Sequence, residues 1–408
     1  MSKDLHEKAL AYHQEGKPGK LDVTSHKKLD NDQDLSLAYS PGVAAPVREI
    51  VKDQSNVNQY TIKGNLVAVI TDGSAVLGLG NVGPLAAKPV MEGKAVLFKH
   101  FAGINVFNIE LDTQDVDEIV KTIKNIAPTF GGINLEDISA PRCFEIERRL
   151  IDELDIPVFH DDQHGTAIIV AAGLLNALEI QGKSITSAKI VVAGGGSAGI
   201  ATLDLLLNLG FKKENMILVD RRGVVSIAQM SVVNKYKAAF AVDTDKKTLA
   251  DALDGADVFI GVARGNLVTK KMVKSMAKNP IVFALSNPDP EISVEDVFAC
   301  RDDAVMATGR SDFPNQVNNV LGFPYIFRGA LDANSKIINT EMKVAAVHAI
   351  KDIAKLPVPQ SLLEIYQVDE LSFGRDYFIP KPFDPRLIDL IPKAIFDAAV
   401  KTGVARLK

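Results

Sequence analysis

Cysteine is nearly absent: Cys143 and Cys300 are the only two in 408 residues, and no C-x-x-C spacing joins them. That scarcity excludes a disulfide framework and a cysteine-ligated zinc site, and it fits a reducing compartment. Also missing is an apolar run of the roughly 20 residues needed to cross a bilayer; the longest, residues 166–178, stops short. No one charge dominates, and a net charge of −5 gives no electrostatic reason to expect nucleic acid or an anionic membrane as a partner. There is no repeat of fixed period and no low-complexity stretch, which removes solenoid and linker-rich architectures. The opening residues, MSKDLHEKALAYHQEGKPGK, lack the apolar segment of a secretory signal. Their spacing predicts a short amphipathic helix, and the expected location is the cytoplasm.

A chain of this length that is 47% apolar can bury two cores, because single cores stop growing near 250 residues. The pattern predicts an α/β fold in two parts. Over 1–164, strand-like runs at 66–70 (LVAVI), 95–100 (AVLFKH) and 103–111 (GINVFNIEL) alternate with helical spacing at 116–126 and 143–154. After Gly165 a long helix is expected over 166–181. It is followed by KIVVAGGGSAGIATLDLLLNLG, which reads as strand, glycine turn and helix. Further apolar strands at 216–220, 256–262 and 280–288, separated by helices, imply a Rossmann-like doubly wound parallel sheet over 165–330. The tail, 331–408, reads as helical from 341 to 356 and proline-rich beyond, packing back on the core.

Gly194, Gly196 and Gly199 form G-x-G-x-x-G directly after a strand and before an apolar helix. The first glycine makes the tight turn, the second lets the backbone approach a pyrophosphate at the helix N-terminus, and the third permits close helix–strand packing. Asp220 closes the next strand 21 residues beyond Gly199, where a carboxylate can accept from an adenosine ribose. Asp220 favours NAD, since it repels a 2′-phosphate. Arg221 and Arg222 follow at once, and a guanidinium accommodates that phosphate, so NADP stays open.

Two acidic clusters stand out. Asn134-Leu-Glu136-Asp137 and His160-Asp161-Asp162-Gln-His164 each follow an apolar run, and adjacent carboxylates in a confined site need a cation. Helix caps and solvated turns are the plainer reading of the same residues. Oxygen donors without thiolate select a hard ion such as Mg2+ or Mn2+. The two histidines stand at i, i+4, but the glutamate of a zinc H-E-x-x-H helix is missing. Lys94, expected at the entry to a strand, is a candidate base with a pKa lowered by burial, and Tyr39 a candidate proton donor.

Read together, SPGVAAP, ITDGSAVLGLGNVG, EGKAVLFK, INLEDISAPRCFEIE, PVFHDDQHGTA, the glycine turn, ALSNP and NQVNN resemble the malic enzyme family, in the same order and over residues 35–330. The short bacterial type is the nearest pattern, with no acyltransferase-like extension. The resemblance implies oxidation and decarboxylation of L-malate to pyruvate and CO2, with oxaloacetate on the path, NAD or NADP as hydride acceptor, Mg2+ or Mn2+, and a homodimer. It makes Glu136, Asp137 and Asp162 the metal ligands, Lys94 the base, Tyr39 the acid and Asp161 the carboxylate that orients the lysine. Asn287 and Asn319 match amides that contact substrate and nicotinamide. Larger members carry an arginine in the TDG-x-x-LGLG segment that binds a malate carboxylate; here Ser74 and Ala75 stand in its place, so another cation or a neighbouring subunit must serve. An oxaloacetate decarboxylase using only the later half-reaction is the alternative. A non-catalytic nucleotide sensor predicts an eroded acidic site, and this one is intact.

Overall fold

The computed structural model describes residues 3–16 and 19–407. The 66–70 run forms strand β1 (Leu66–Thr71), in which all six residues are buried. A strand apolar on both faces needs layers on both sides, which is the environment of a parallel sheet. β1 pairs in parallel with β2 (Asn105–Glu110) and with β3 (Gly132–Leu135), and β4 (Val158–His160) adds to β3, giving the order β2-β1-β3-β4. The register sets Ile70 beside Leu135 and Leu135 beside His160. Asp72, Glu136 and Asp161 therefore emerge at one edge, the carboxyl ends of the strands.

Residues 95–100, expected as a strand, lie inside the 19-residue helix Pro84–Ala102. Its buried residues Ala87, Met91, Lys94, Ala95, Phe98 and Ala102 recur at helical spacing. The short window AVLFKH hides that period because four consecutive apolar residues suit either element. The 160–164 cluster also differs from the expected strand end. Asp161 and Asp162 are the first two residues of the helix Asp161–Ile180, which starts five residues before the expected position. That helix is buried on nearly every side, packing on the helices Ser197–Asn208 and Thr340–Ile353, and it links the two sheets.

The second sheet has the order β10-β9-β8-β5-β6-β7. β5 (Ile190–Ala193), β6 (Met216–Asp220), β8 (Val258–Gly261), β9 (Ile281–Ala284) and β10 (Val305–Thr308) are parallel, and the two-residue β7 (Gly223–Val224) is antiparallel at the edge. From β5 the order runs outward in both directions, and the crevice at that switch point is where such folds bind ligands. Both faces are covered. One core runs from Val67 and Ile133 through Ile168 and Leu174 to Val192 and Phe283, while Val191, Phe259 and Val282 belong to a second core on the far face.

In the tail the helix Thr340–Ile353 starts one residue before and ends three residues short of the expected 341–356 stretch, and the proline-rich remainder contains a further helix, Arg386–Lys401, packed on Thr340–Ile353 and Phe323–Asp332. Pro385 only caps its start, and Pro392 is accommodated inside it. At the other end, the predicted helix is present as Lys3–Gln14, and the next two helices, Asp32–Ala38 and Ala44–Lys52, contain no buried residue.

Candidate active site

At the shared strand edge the chain brings three acidic side chains together. Glu136 and Asp137 follow β3, Asp162 opens its helix, and oxygens of all three lie within 4.8 Å of one another. Asp137 takes a left-handed backbone conformation (φ 53°), and its N–H donates to Asp162 Oδ2 at 2.8 Å, which locks the two segments together. Lys94 Nζ lies 2.6 Å from Asp161 Oδ2 and 2.9 Å from Glu136 Oε1, with the Phe323 ring beneath it at 4.1 Å. Asn134 donates to Glu136 Oε2 at 2.8 Å. Asn319 donates to Asp161 Oδ2 at 3.1 Å and accepts from the Thr166 hydroxyl. Asp161 has no exposed surface, and Lys94, Glu136 and Asp137 are buried.

Four carboxylates face one ammonium in this space. Burial above all, then Asp162, Asp161 and Asp137 against the opposing pull of Lys94, pushes Glu136 well above the usual carboxylate range. Asp161 is raised too, by burial first, with Lys94 opposing. Lys94 runs contrary to expectation. Burial acts to lower it, but Asp161 and Glu136 outweigh that and hold the ammonium above its ordinary range. With every group ionised the cluster carries a formal charge of −3, and Asp161 Oδ1 is buried without a hydrogen bond. A buried excess of negative charge on oxygen donors fits a divalent cation. The two histidines do not join it as ligands. His164 Nε2 is 2.9 Å from Glu147 Oε2, and the His160 ring stays 3.8 Å from Asp162.

The glycine turn adopts the geometry its spacing predicts. Gly194 has φ 122°, and a Cβ on Gly199 would lie 1.8 Å from the Gly194 carbonyl oxygen. A Cβ on Gly196 would meet nothing within 4 Å, so its backbone stays open to a ligand at the start of the Ser197–Asn208 helix. Asp220, at the end of β6, borders a cavity of about 910 Å3 beside this turn, but its carboxylate is engaged. Lys237 Nζ holds it at 2.8 Å and the Arg222 N–H at 2.8 Å, and these partners outweigh burial to keep its pKa below the ordinary value. Arg221, Arg222, Lys247 and Arg264 line the same cavity.

Of the remaining expected residues, Asn319 touches Asp161 directly, whereas Asn287 lies exposed in the loop after β9. That loop abuts the first sheet's glycine segment so closely that a Cβ on Gly78 would approach the Asn287 carbonyl oxygen to 2.5 Å. Tyr39 is not brought to the cluster. It is 71% exposed, and among the described residues its hydroxyl has no hydrogen bond. Beside Ser74, in the segment that lacks the family's arginine, Arg142 Nη2 donates to Asp72 Oδ2 at 3.0 Å, and its Nε is buried without a partner among the described residues. Arg142, Lys237 and Phe323 were not singled out from the sequence. Lys237 and Phe323 leave no local signal, because Lys237 meets Asp220 only where the chain after β6 folds back, 17 residues on, and Phe323 meets Lys94 from a distant part of the chain. Lys94 could have been placed correctly by extending its window to the 87-91-95-98 spacing.

A family model described as "Malic enzyme, N-terminal domain" matches residues 18–151, and one described as "Malic enzyme, NAD binding domain" matches residues 163–373. The chain is 59% identical over 398 residues to the NADP-dependent malic enzyme of Halomonas elongata, covering 98% of this chain and 94% of that protein. It is 55% identical over 400 residues to the NADP-dependent malic enzyme of Rhizobium meliloti, covering 98% of this chain but only 53% of that longer one. The crystal structure of malic enzyme from Pyrococcus horikoshii superimposes with a TM-score of 0.89 at 43% identity, covering 99% of this chain and 92% of the other.

Proposed function

The chain belongs to the malic enzyme family, and from that premise we propose that it oxidises and decarboxylates L-malate to pyruvate and CO2, passing the hydride to NADP. The reading places a hard divalent ion, Mg2+ or Mn2+, on Glu136, Asp137 and Asp162. The observation that carries it is the convergence of those carboxylates within 4.8 Å beside the ammonium of Lys94. When bound, such an ion supplies Lewis acidity toward the oxygens of a 2-hydroxy or 2-oxo acid and positive charge that opposes the ammonium form of Lys94.

Every other step falls to side chains. Lys94, once neutral, accepts the proton of the substrate hydroxyl at Nζ. Asp161, fully buried and tied to Asn319, keeps Nζ aimed at that proton. Asn319 and Asn287 direct amides toward substrate and nicotinamide. Arg142, held against the Asp72–Ser74 turn with Nε free, is the cation proposed for the second malate carboxylate. Tyr39 returns a proton to carbon 3 after CO2 departs. For this the reading needs a homodimer in which Tyr39 serves the site of the other copy. Tyr39 is exposed along with Leu35, Leu37, Val47 and Val51, an apolar surface suited to a subunit interface. NADP is preferred over NAD because Lys237 neutralises Asp220 among several cations, leaving a surface that attracts a 2′-phosphate.

In this reading residues 1–164 handle substrate and metal, 165–330 the nucleotide, and 331–408 buttress both. Among the described residues no helix is long and apolar enough to cross a membrane. The proposed location, the cytoplasm, accords with two free cysteines. The test is initial-rate kinetics with L-malate, either nucleotide, and Mn2+ or EDTA. Malate-dependent NADPH formation abolished by chelation is the expected result. CO2 release from oxaloacetate with no nucleotide reduction from malate would instead leave a decarboxylase, and full activity in a metal-free sample would remove the ion.

A further inference from the structure

Glu147, on the helix Arg142–Glu153, is a buried carboxylate that the reaction above does not use; it is 5% exposed. It accepts three hydrogen bonds: from the backbone N–H of His160 at 2.9 Å, from Gln163 Nε2 at 3.2 Å and from His164 Nε2 at 2.9 Å. All three donors belong to the five-residue stretch that carries Asp161 and Asp162. The helix that begins at Asp161 has no capping side chain of its own, and the first amides of a helix need acceptors from elsewhere. A carboxylate is the favoured charge at that end. Burial acts to raise the Glu147 carboxyl, but His164 and then Lys343 outweigh it and bring it to about 2. Lys343 reaches in from the Thr340–Ile353 helix, with Nζ 3.1 Å from His164 Nδ1.

We propose that Glu147 is a positioning residue for the divalent-ion site: by bonding the chain on both sides of Asp161 and Asp162, it fixes the direction in which those carboxylates leave the start of their helix. The inference rests on the reading that Glu136, Asp137 and Asp162 hold the ion. Partners of this kind commonly change metal affinity 10- to 100-fold when removed, although they never touch the ion.

Free Mn2+ measured by electron paramagnetic resonance during titration of the metal-stripped full-length protein tests both levels separately. If the parent protein binds no Mn2+, the functional reading fails before Glu147 is considered. Given one Mn2+ per parent chain, Glu147→Gln is expected to weaken Mn2+ by about 10- to 100-fold while NADPH affinity, followed by nucleotide fluorescence, stays at the parent value. Unchanged Mn2+ affinity overturns the proposal, and so does a parallel loss of NADPH affinity, which marks general disruption. A measurement on the parent protein covers the case in which the variant does not fold. Coupling is reciprocal, so Mn2+ should slow hydrogen exchange in the peptide spanning residues 142–153, which contains no proposed ligand of the ion. Exchange there that is indifferent to Mn2+ also overturns it.

Discussion

Single side chains decide the chemistry of this site, and they show how context reverses an intrinsic tendency. A buried lysine is ordinarily a candidate for a lowered pKa, but two carboxylates within 2.9 Å hold Lys94 as an ammonium. The base role proposed for it therefore depends on positive charge arriving at Glu136. Lys94→Ala is expected to lower kcat with malate by about 100- to 10,000-fold; a steady-state rate within tenfold of the parent would exclude the base role. Lys237→Gln should raise the KM for NADP by about tenfold, the loss of one phosphate-directed charge, and leave the KM for NAD nearly as it was. Equal effects on both nucleotides would mean that Lys237 serves only to hold Asp220. The convergence of Glu136, Asp137 and Asp162 was legible because carboxylates crowded after apolar runs repel one another unless a cation offsets them. Phe323 and Arg142 were not, because neither residue has an unusual neighbour in the chain.

Helices, more than strands, place the site. The helix Pro84–Ala102 carries Lys94 on the same stripe as Met91, Ala95 and Phe98, so the stripe that anchors the helix also drives the lysine inward. Phe98 is fully buried, with edge-to-face contacts at 4.8 Å to Phe323 and 5.3 Å to Phe327. Phe98→Ala should therefore cost about 3–5 kcal/mol, read from urea denaturation. Because Phe323 also underlies the Lys94 ammonium, a rise in the KM for malate should accompany the loss. A cost below about 1 kcal/mol would show that this stripe does not anchor the helix. The glycine turn was legible down to its individual roles, since each glycine answers a local backbone demand. The start of the Asp161–Ile180 helix was not, because the chain entering its first turn finds its acceptor on a different helix, at Glu147.

For the molecule as a whole, assembly and acid stability provide the tests. If Tyr39 acts across a dimer, mixing the inactive variants Lys94→Ala and Tyr39→Phe after reversible dissociation should restore activity, since one of the two sites in a mixed dimer then has both groups intact. No recovery in demonstrably mixed dimers places Tyr39 in its own subunit's site or nowhere. Acid stability follows the depressed carboxyl of Glu147. Its folded value of about 2 lies below the ordinary 4.5. Its contribution is then complete above about pH 4.5 and is lost as the pH falls toward 2, on the order of 3 kcal/mol in all. The stability gap between the parent and Glu147→Gln, measured by calorimetry, should narrow through that window. A gap of constant size from pH 6 to 3 would mean that ionised Glu147 does not contribute in this way.

By itself the sequence determined the elements whose causes are local. An all-apolar strand must lie inside a parallel sheet, a G-x-G-x-x-G turn between strand and helix must lie open to a ligand, and dense acidic clusters after apolar runs are candidates for one shared site. Only the tertiary structure decided which side chains share a space: that Lys94 sits between Asp161 and Glu136, that Lys237 engages Asp220, and that Tyr39 stays at the surface. Those outcomes depend on the register of four parallel strands and on helices joined through long crossovers. Distances between such elements come from packing the whole core, and no window of the chain contains them.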